Sequence, residues 1–290
     1  MKTTAVIYNA ASGSNALSIR DIKLAFGEAA NRLIFLKISL GRDQLSERIK
    51  EYKVHQLVAA GGDGTVNLVA NLCVEHGLPL GVLPVGTLNH FAKDLGLPID
   101  LRQAADVIAE GATTRVDYCS VNDHVFVNNS SIGLYPLTVL KRQTLEKRLG
   151  KWPAALFATF QSVAELKTTR LRVTYTGHNY SFKTPLLFVG NNSYHLEDIG
   201  LTNRSSLKEG TLYLYIVRAN KLSGIIRVAI YTVLGKRLKS HDFLAHVKHD
   251  LLVASAKKTL HVAVDGEVLI LDAPLRYKVM PAGLTVCTPT

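Results

Sequence analysis

"LVAAGGDGTVNLVANL", residues 57–72, sets an apolar run against three glycines and a carboxylate, Gly61 to Gly64, and follows them with apolar residues at helical spacing. A short apolar run, a glycine-rich turn and a helix, in that order, describe a strand–turn–helix unit. Glycine carries no Cβ and tolerates positive φ, so such a turn lets main-chain N–H groups approach a ligand closely. The helix adds the positive end of its dipole, and together they make an anion site, most naturally for phosphate. The pattern is neither GxxxxGK[ST] nor GxGxxG. Asp63 would repel phosphates unless it serves a metal ion, a ribose hydroxyl or a proton; the competing reading is a plain turn with Asp63 as helix cap.

The same alternation runs through the first third of the chain. "TAVIYN", a helix from about Ala16 to Ala30, "LIFLKIS", a helix from Arg42 to Tyr52, "QLVAAGG", a helix from Thr65 to His76 and "PLGVLP" follow one another. Strands alternating with helices predict a parallel sheet covered on both faces. After about Val116 short β-branched and aromatic runs take over: "HVFVNNS", "LRVTYTG", "YSFKTPLLFVGN", "GTLYLYIVR", "LLVASA", "TLHVAVDGEVLI" and "LRYKVMP". These predict an antiparallel sheet or sandwich. The fold class is therefore α/β, a doubly wound parallel-sheet domain over 1–120 and a β-rich, sandwich-like domain over 121–290, with a return of the final segment to the first domain as the alternative. Two stretches, 136–167 and 221–240, read as helices.

At 290 residues the chain is long enough to form a core without disulfide staples. The three cysteines, Cys73, Cys119 and Cys287, show neither a disulfide framework nor zinc spacing, which suits a reduced, cytoplasmic compartment. "MKTTAVIYNA" reads as a first buried strand rather than a signal peptide, and no stretch of about 18 uncharged apolar residues predicts a spanning helix. The net charge of +11 implies attraction to an anionic partner: nucleic acid, a lipid headgroup surface or a polyphosphate. Basic residues cluster in "KRQTLEKRLGKW", "KTTRLR" and "GKRLKSH".

"GGDGTVN" (61–67) followed by "LPVGTLNHFAKDLGLP" (83–98) resembles the catalytic domain of the diacylglycerol kinase superfamily, in its soluble bacterial lipid kinase branch. In family order, "NAASGS" (9–14) resembles its Asn-Pro-x-Ser-Gly turn with Ala10 for proline, and "FVNNSSIGLYP" (126–136) its Phe-x-Asn-x-x-Gly-x-Gly segment with only Gly133. "FVGNNSYHLEDIGL", "LKEGTLYLYIV" and "AVDGEVL" (263–269) resemble its Asn-containing strand, its Asp-Gly-x-Leu turn and its Asp-Gly-Glu motif. The resemblance implies an N-terminal α/β domain of the kind shared with NAD kinase and phosphofructokinase, a β-rich second domain, and ATP as the nucleotide.

By that resemblance Asn9, Ser12, Gly13 and Ser39 contact the nucleotide, as do Gly61, Gly62, Asp63, Gly64, Thr65 and Asn67 of the glycine loop and Thr87 and Asn89 of the second loop; read alone, the first three form a plain Asx or Ser turn and Ser39 a helix cap. The family commonly has Asp where this chain has His90, so no role passes to His90. Glu267 would be the catalytic proton acceptor and Asp265 its neighbour on nucleotide or metal; read alone, "VDGE" is a hairpin turn. Ser206, Glu209 and Thr211 fall where the family holds a structural Mg²⁺, with Glu209 in place of Asp.

The expected activity is ATP- and Mg²⁺-dependent transfer of the γ-phosphate to a lipid hydroxyl, of diacylglycerol, a sphingoid base or a related lipid. The expected partners are the lipid substrate and, peripherally, an anionic membrane, through the basic amphipathic stretch 221–240 with Trp152 as a candidate anchor; the alternatives are a core-packed helix with a solvated C-terminal end and a domain-packing Trp152. A homodimer is admitted, and no nucleic-acid-reading module is visible. The competing readings are an NAD kinase-like phosphotransferase and a nucleotide-binding regulatory protein with weakened catalysis.

Overall fold

The structure, a computed structural model, describes residues 3–9, 18–133, 168–194, 204, 206–216, 243–248 and 250–289. Ser12, Gly13, Trp152 and the expected helices at 136–167 and 221–240 lie outside the described residues. The chain divides into two compact units, Met1–Tyr118 with Met280–Thr290, and Cys119–Val279.

In the first unit, β1 (Thr4–Tyr8), β2 (Leu33–Lys37), β3 (Gln56–Gly61) and β4 (Leu80–Pro84) pair in parallel in the order β2-β1-β3-β4. Their sequences are nearly continuous apolar runs because both faces are covered. On one face Val6, Tyr8, Val58, Ala60 and Leu83 pack with residues of α1 (Ile19–Phe26) and α5 (Leu101–Glu110). The alternate residues Ala5, Ile7, Leu57 and Ala59 are equally buried, and α3 (Asp63–His76) packs against β3, β1 and β4 with α2 (Gly41–Glu51) beside it. This is the doubly wound arrangement that the alternation of strands and helices predicts.

Local chemistry sets the helix limits. Ser18 and Asp21 form a reciprocal capping box that starts α1, and Asp100 Oδ1 accepts from Gln103 N–H at 3.0 Å to start α5. Gly77, at φ 65°, ends α3 in the left-handed conformation. The first helix is shorter than expected: after Phe26 it tightens into a 3₁₀ turn over Gly27–Arg32. "LIFLKIS" also stops short as a strand, since Ile38–Leu40 form a 3₁₀ turn that carries Ser39 past the end of β2.

The second unit contains two antiparallel sheets. One takes β8 (Thr169–Tyr175), β9 (His178–Thr184), β13 (Leu251–Ser255) and the start of β16 (Leu275–Cys287) in the order β16-β13-β8-β9. The other takes β7 (Asn129–Gly133), β10 (Leu186–Asn191), β11 (Leu212–Ile216), β12 (Phe243–Val247), β14 (Thr259–Val264) and β15 (Glu267–Asp272) in the order β12-β11-β10-β7-β14-β15. Leu171, Val173, Val253, Leu275 and Tyr277 of the first share one core with Leu187, Val189, Leu214 and Val262 of the second, which makes the unit a sandwich. "YSFKTPLLFVGN", one run in sequence, breaks at Pro185 and supplies a strand to each sheet. Thr184 braces the break, its Oγ1 donating to Leu186 O at 2.7 Å. β5 (Thr113–Val121) and β6 (His124–Phe126) lead the chain into this unit.

Asp100→Ala removes one cap from α5 and is expected to lower stability by about 1 kcal/mol, read as a fall in the urea midpoint at unchanged slope.

Candidate active site

The glycine turn and the second loop of the first unit meet through their main chains. A Cβ on Gly86 would lie 2.4 Å from Gly62 Cα and 2.7 Å from Asn89 Oδ1, so only glycine fits there. A Cβ on Gly61 would lie 2.2 Å from Thr65 Oγ1, whose side chain is buried over it. None of Gly61, Gly62 and Gly64 has positive φ; Gly62 is extended, at φ −86° and ψ −173°. The freedom that glycine offers in left-handed conformations is therefore unused. What the turn requires is the missing Cβ, and the first N–H groups of α3 follow directly from it.

Asp63 and Asn89 complete the pairing. Asp63 Oδ1 accepts from His90 N–H at 3.0 Å, tying the first turn of α3 to α4 (His90–Asp94). Asn89 sits at φ 51° and ψ 45°; its Nδ2 donates to Pro84 O and Gly86 O at 3.0 and 2.9 Å, and its Oδ1 accepts from Gly86 N–H at 3.0 Å. Its amide thus shapes the loop from within, while Thr87 beside it is exposed. Asn67 is buried, with its Oδ1 3.2 Å from Asn71 Nδ2. Asn9 lies at the end of β1, its N–H donating to Ala60 O at 3.1 Å, and Ser39 is exposed in its turn.

In the second unit, Asp265 and Gly266 form the two-residue turn between β14 and β15, at φ 45° and 89°. Positive φ at both central positions is what a type I′ hairpin requires and what Asp-Gly supplies. The hairpin reading of "VDGE" is therefore geometrically right, yet it does not exhaust Asp265. Its buried carboxylate accepts from three successive main-chain N–H groups, Val127 to Oδ2 at 2.8 Å and Asn128 and Asn129 to Oδ1 at 2.9 Å each. Glu267, two residues on, is exposed at the surface. Its carboxyl is nonetheless raised above the ordinary glutamate value, first by partial desolvation and then by the negative charge of Asp265.

Of the expected magnesium residues, Glu209 and Thr211 come together and Ser206 turns elsewhere. Glu209 Oε2 accepts from Ser193 Oγ, from Ser193 N–H at 3.2 Å and from Thr211 Oγ1 at 3.4 Å. Ser206 Oγ instead accepts from Lys208 N–H at 3.0 Å. Ser193 Oγ also lies 3.2 Å from His246 Nδ1. The donors thus converge on one Glu209 oxygen, Oε2, and among the described residues no group of three or more His, Cys, Asp or Glu gathers.

Three residues that sequence reasoning did not single out surround the Asp265 anchor. Asn191 Nδ2 donates to Val127 O at 3.0 Å, and the Arg204 guanidinium donates to Val127 O at 2.5 Å and to Asn128 Oδ1 at 3.2 Å. Tyr194 Oη donates to Asn128 O at 2.8 Å. The available signal was the repeated pair, "FVNN" and "FVGNN", each closing an apolar run.

The family model described as the diacylglycerol kinase catalytic domain matches residues 3–121, and the one described as the YegS C-terminal NAD kinase beta sandwich-like domain matches residues 143–288. Diacylglycerol kinases from Staphylococcus aureus strains bovine RF122 / ET3-1 and JH9 are each 31% identical over 227 residues, covering 77% of this chain and 71% of theirs. Among solved structures, a Bacillus anthracis str. Sterne protein assigned provisionally as a diacylglycerol kinase superposes with TM-score 0.75 at 23% identity, covering 99% of this chain and 98% of its own. Another from that organism, a diacylglycerol kinase, gives 0.68 at 19%, covering 99% and 97%. At those identities the structural likeness speaks for the fold alone.

Gly86→Ala drives a methyl group into the Gly62 main chain and is expected to destabilise the first unit by about 1–3 kcal/mol. Gly62→Ala, whose Cβ would sit an ordinary 3.5 Å from Gly86 Cα, is expected to stay near the parent in the same denaturation experiment. Asp265→Asn turns an NH₂ toward one of three N–H donors and is expected to cost about 1–3 kcal/mol, visible as a lower melting temperature before any ligand is added.

Proposed function

The chain belongs to the diacylglycerol kinase family, and from that membership we propose that it transfers the γ-phosphoryl group of ATP to a lipid hydroxyl, of diacylglycerol or a related glycerolipid or sphingoid base. The observation that carries the reading is the division of labour in "VDGE". Asp265 is committed to main-chain donors and holds the hairpin, while Glu267 beside it is exposed and has a heightened affinity for a proton. An acid–base catalyst needs that combination of access and raised pKa.

The first unit contributes the means to hold phosphate: main-chain N–H groups at the start of α3 and a second loop locked to it by Asp63 and Gly86. In the transfer itself the lipid hydroxyl oxygen forms a bond to the γ-phosphorus, the bond to the β,γ-bridging oxygen breaks, and ADP departs with that electron pair. The hydroxyl proton passes to a Glu267 carboxylate oxygen. Mg²⁺ enters with the nucleotide as part of the substrate, neutralising phosphate charge; no step is assigned to Ser206, Glu209 and Thr211.

Glu267→Gln keeps the shape but removes the base, so turnover is expected to fall by about 10² to 10⁴ with ATP affinity unchanged in calorimetry. The base works only when ionised, so the parent's kcat should hold at high pH and fall as pH drops through the raised Glu267 value, above the usual glutamate range; the variant should lack that acid limb. A parent-like rate for Glu267→Gln on any phosphorylated lipid would remove Glu267 from the mechanism. ATP binding without transfer to any of a panel of mixed-micelle lipids would remove the kinase reading.

A further inference from the structure

The sheet β16-β13-β8-β9 turns one face to the sandwich core and the other away from it. Cross-strand partners share a face, and the register sets Arg170 opposite Lys183, Arg172 opposite Ser181 and Ala254, and Leu252 opposite Thr174 and Arg276. Leu171, Val173, Val253, Leu275 and Tyr277 occupy the core side, so Arg170, Arg172, Lys183, Arg276 and Lys278 all project from the other. All five are exposed. The four strands themselves contain no Asp or Glu; the one carboxylate that the register brings to this face among the described residues is the exposed Asp250, just before β13 and in line with Lys278. Among the described residues none of the five cations joins an ion pair. Lys257 and Lys258 extend the positive surface at the exposed turn after β13.

An ordinary solvated sheet face stays soluble with charges of both signs. A lysine on the edge strand β9 also discourages edge-to-edge pairing, which accounts for Lys183 alone. Five cations against one border carboxylate is different, because Arg170 directly opposite Lys183 destabilises the sheet. An anionic counterpart would relieve that cost, and the shape and composition of the face favour one kind. Single-stranded nucleic acid needs aromatic platforms on which bases stack, yet the sheet's aromatic ladder of Tyr175, Tyr180 and Phe182 packs on the core side. The charged side offers instead a broad array of cations around the partly buried Leu252 and Ala254, which suits phosphate headgroups spread over a plane.

We infer that this face docks the protein on a bilayer containing anionic phospholipid, an inference that rests on the lipid kinase reading for its purpose but not for its test. The full chain is sedimented with vesicles of phosphatidylcholine alone and with phosphatidylglycerol added, at low and high salt. The parent should prefer the anionic vesicles and leave them as salt screens the interaction. Each neutralised cation should weaken partitioning roughly fivefold, so Arg172→Gln/Arg276→Gln/Lys278→Gln together should weaken it by about 10²; Arg172→Gln alone, with its roughly fivefold loss, is the check should the triple variant fold poorly. Phosphorylation of acylglycerol in neutral-detergent micelles should be equal for parent and variants.

Equal binding of the parent to both vesicle types, or parent-like binding by both variants, overturns the inference. So does a single-stranded oligonucleotide that binds the parent more tightly than the anionic vesicles and depends on the same three residues. Absent turnover in micelles with charge-dependent vesicle binding intact would sink the kinase reading and leave the docking surface standing.

Discussion

A carboxylate removed from water has to be satisfied where it stands, and Asp265 is satisfied by the N–H groups of Val127, Asn128 and Asn129. Hydrogen bonds to a charged acceptor contribute about 1.5–3 kcal/mol each, so three of them fix the β14–β15 turn firmly against the entry to β7. The same strip of main chain is held from its carbonyl side by Asn191, Tyr194 and Arg204. Donors and acceptors along 127–129 are thus consumed by groups from distant parts of the sequence, side chains for the most part and main-chain N–H groups such as that of Asp265 on Asn129 O. Glu267 inherits its position from this clamp, since it opens the strand that the anchored turn begins.

The first unit repeats the device in a different setting. Asp63 gives a carboxylate oxygen to the His90 main chain, and Asn89 closes its own loop with three side-chain bonds. In both units an acidic residue that motif reading associates with nucleotide or metal is, in the free protein, a brace between two segments of backbone. For Asp63 the two uses are compatible: with one oxygen on a main-chain donor it keeps lone pairs for a ligand, and it brings the loop into place before the ligand arrives, which lowers the ordering cost of binding.

The fold class was legible because it rests on periodicity: apolar runs alternating with helices in one half, short alternating strands in the other. Strand limits were less so. Pro185 sits inside "YSFKTPLLFVGN" without interrupting its apolar character, and only the assignment of its two sides to different sheets shows that the run is two strands. Ser39 reads as strand until the 3₁₀ turn at Ile38 is seen. In the glycine loop the need for a missing Cβ was legible and the neighbours that impose it were not: Gly61 yields to Thr65 and Gly86 to Gly62, while the positive φ that glycine also permits is not used. The Asn191, Tyr194 and Arg204 contacts bridge more than sixty positions in the chain, so nothing at either end announces them.

Stability and use separate most clearly where the fold bears a cost it does not need. A glutamate whose folded pKa is raised favours folding only when protonated, fully below its unfolded value; that contribution is lost as pH rises through the folded value, and at neutrality Glu267 is a net burden. Arg170 opposite Lys183 is a burden of another kind, a like-charge pair on neighbouring strands. Asp265 lies near the first and relieves none of it, since its own charge is one of the causes. Packing can explain Leu171 or Tyr277, and capping can explain Ser18 or Asp100. Neither explains a carboxyl held at raised proton affinity or a sheet face crowded with cations, and it is at such residues that the chemistry of the protein is to be sought.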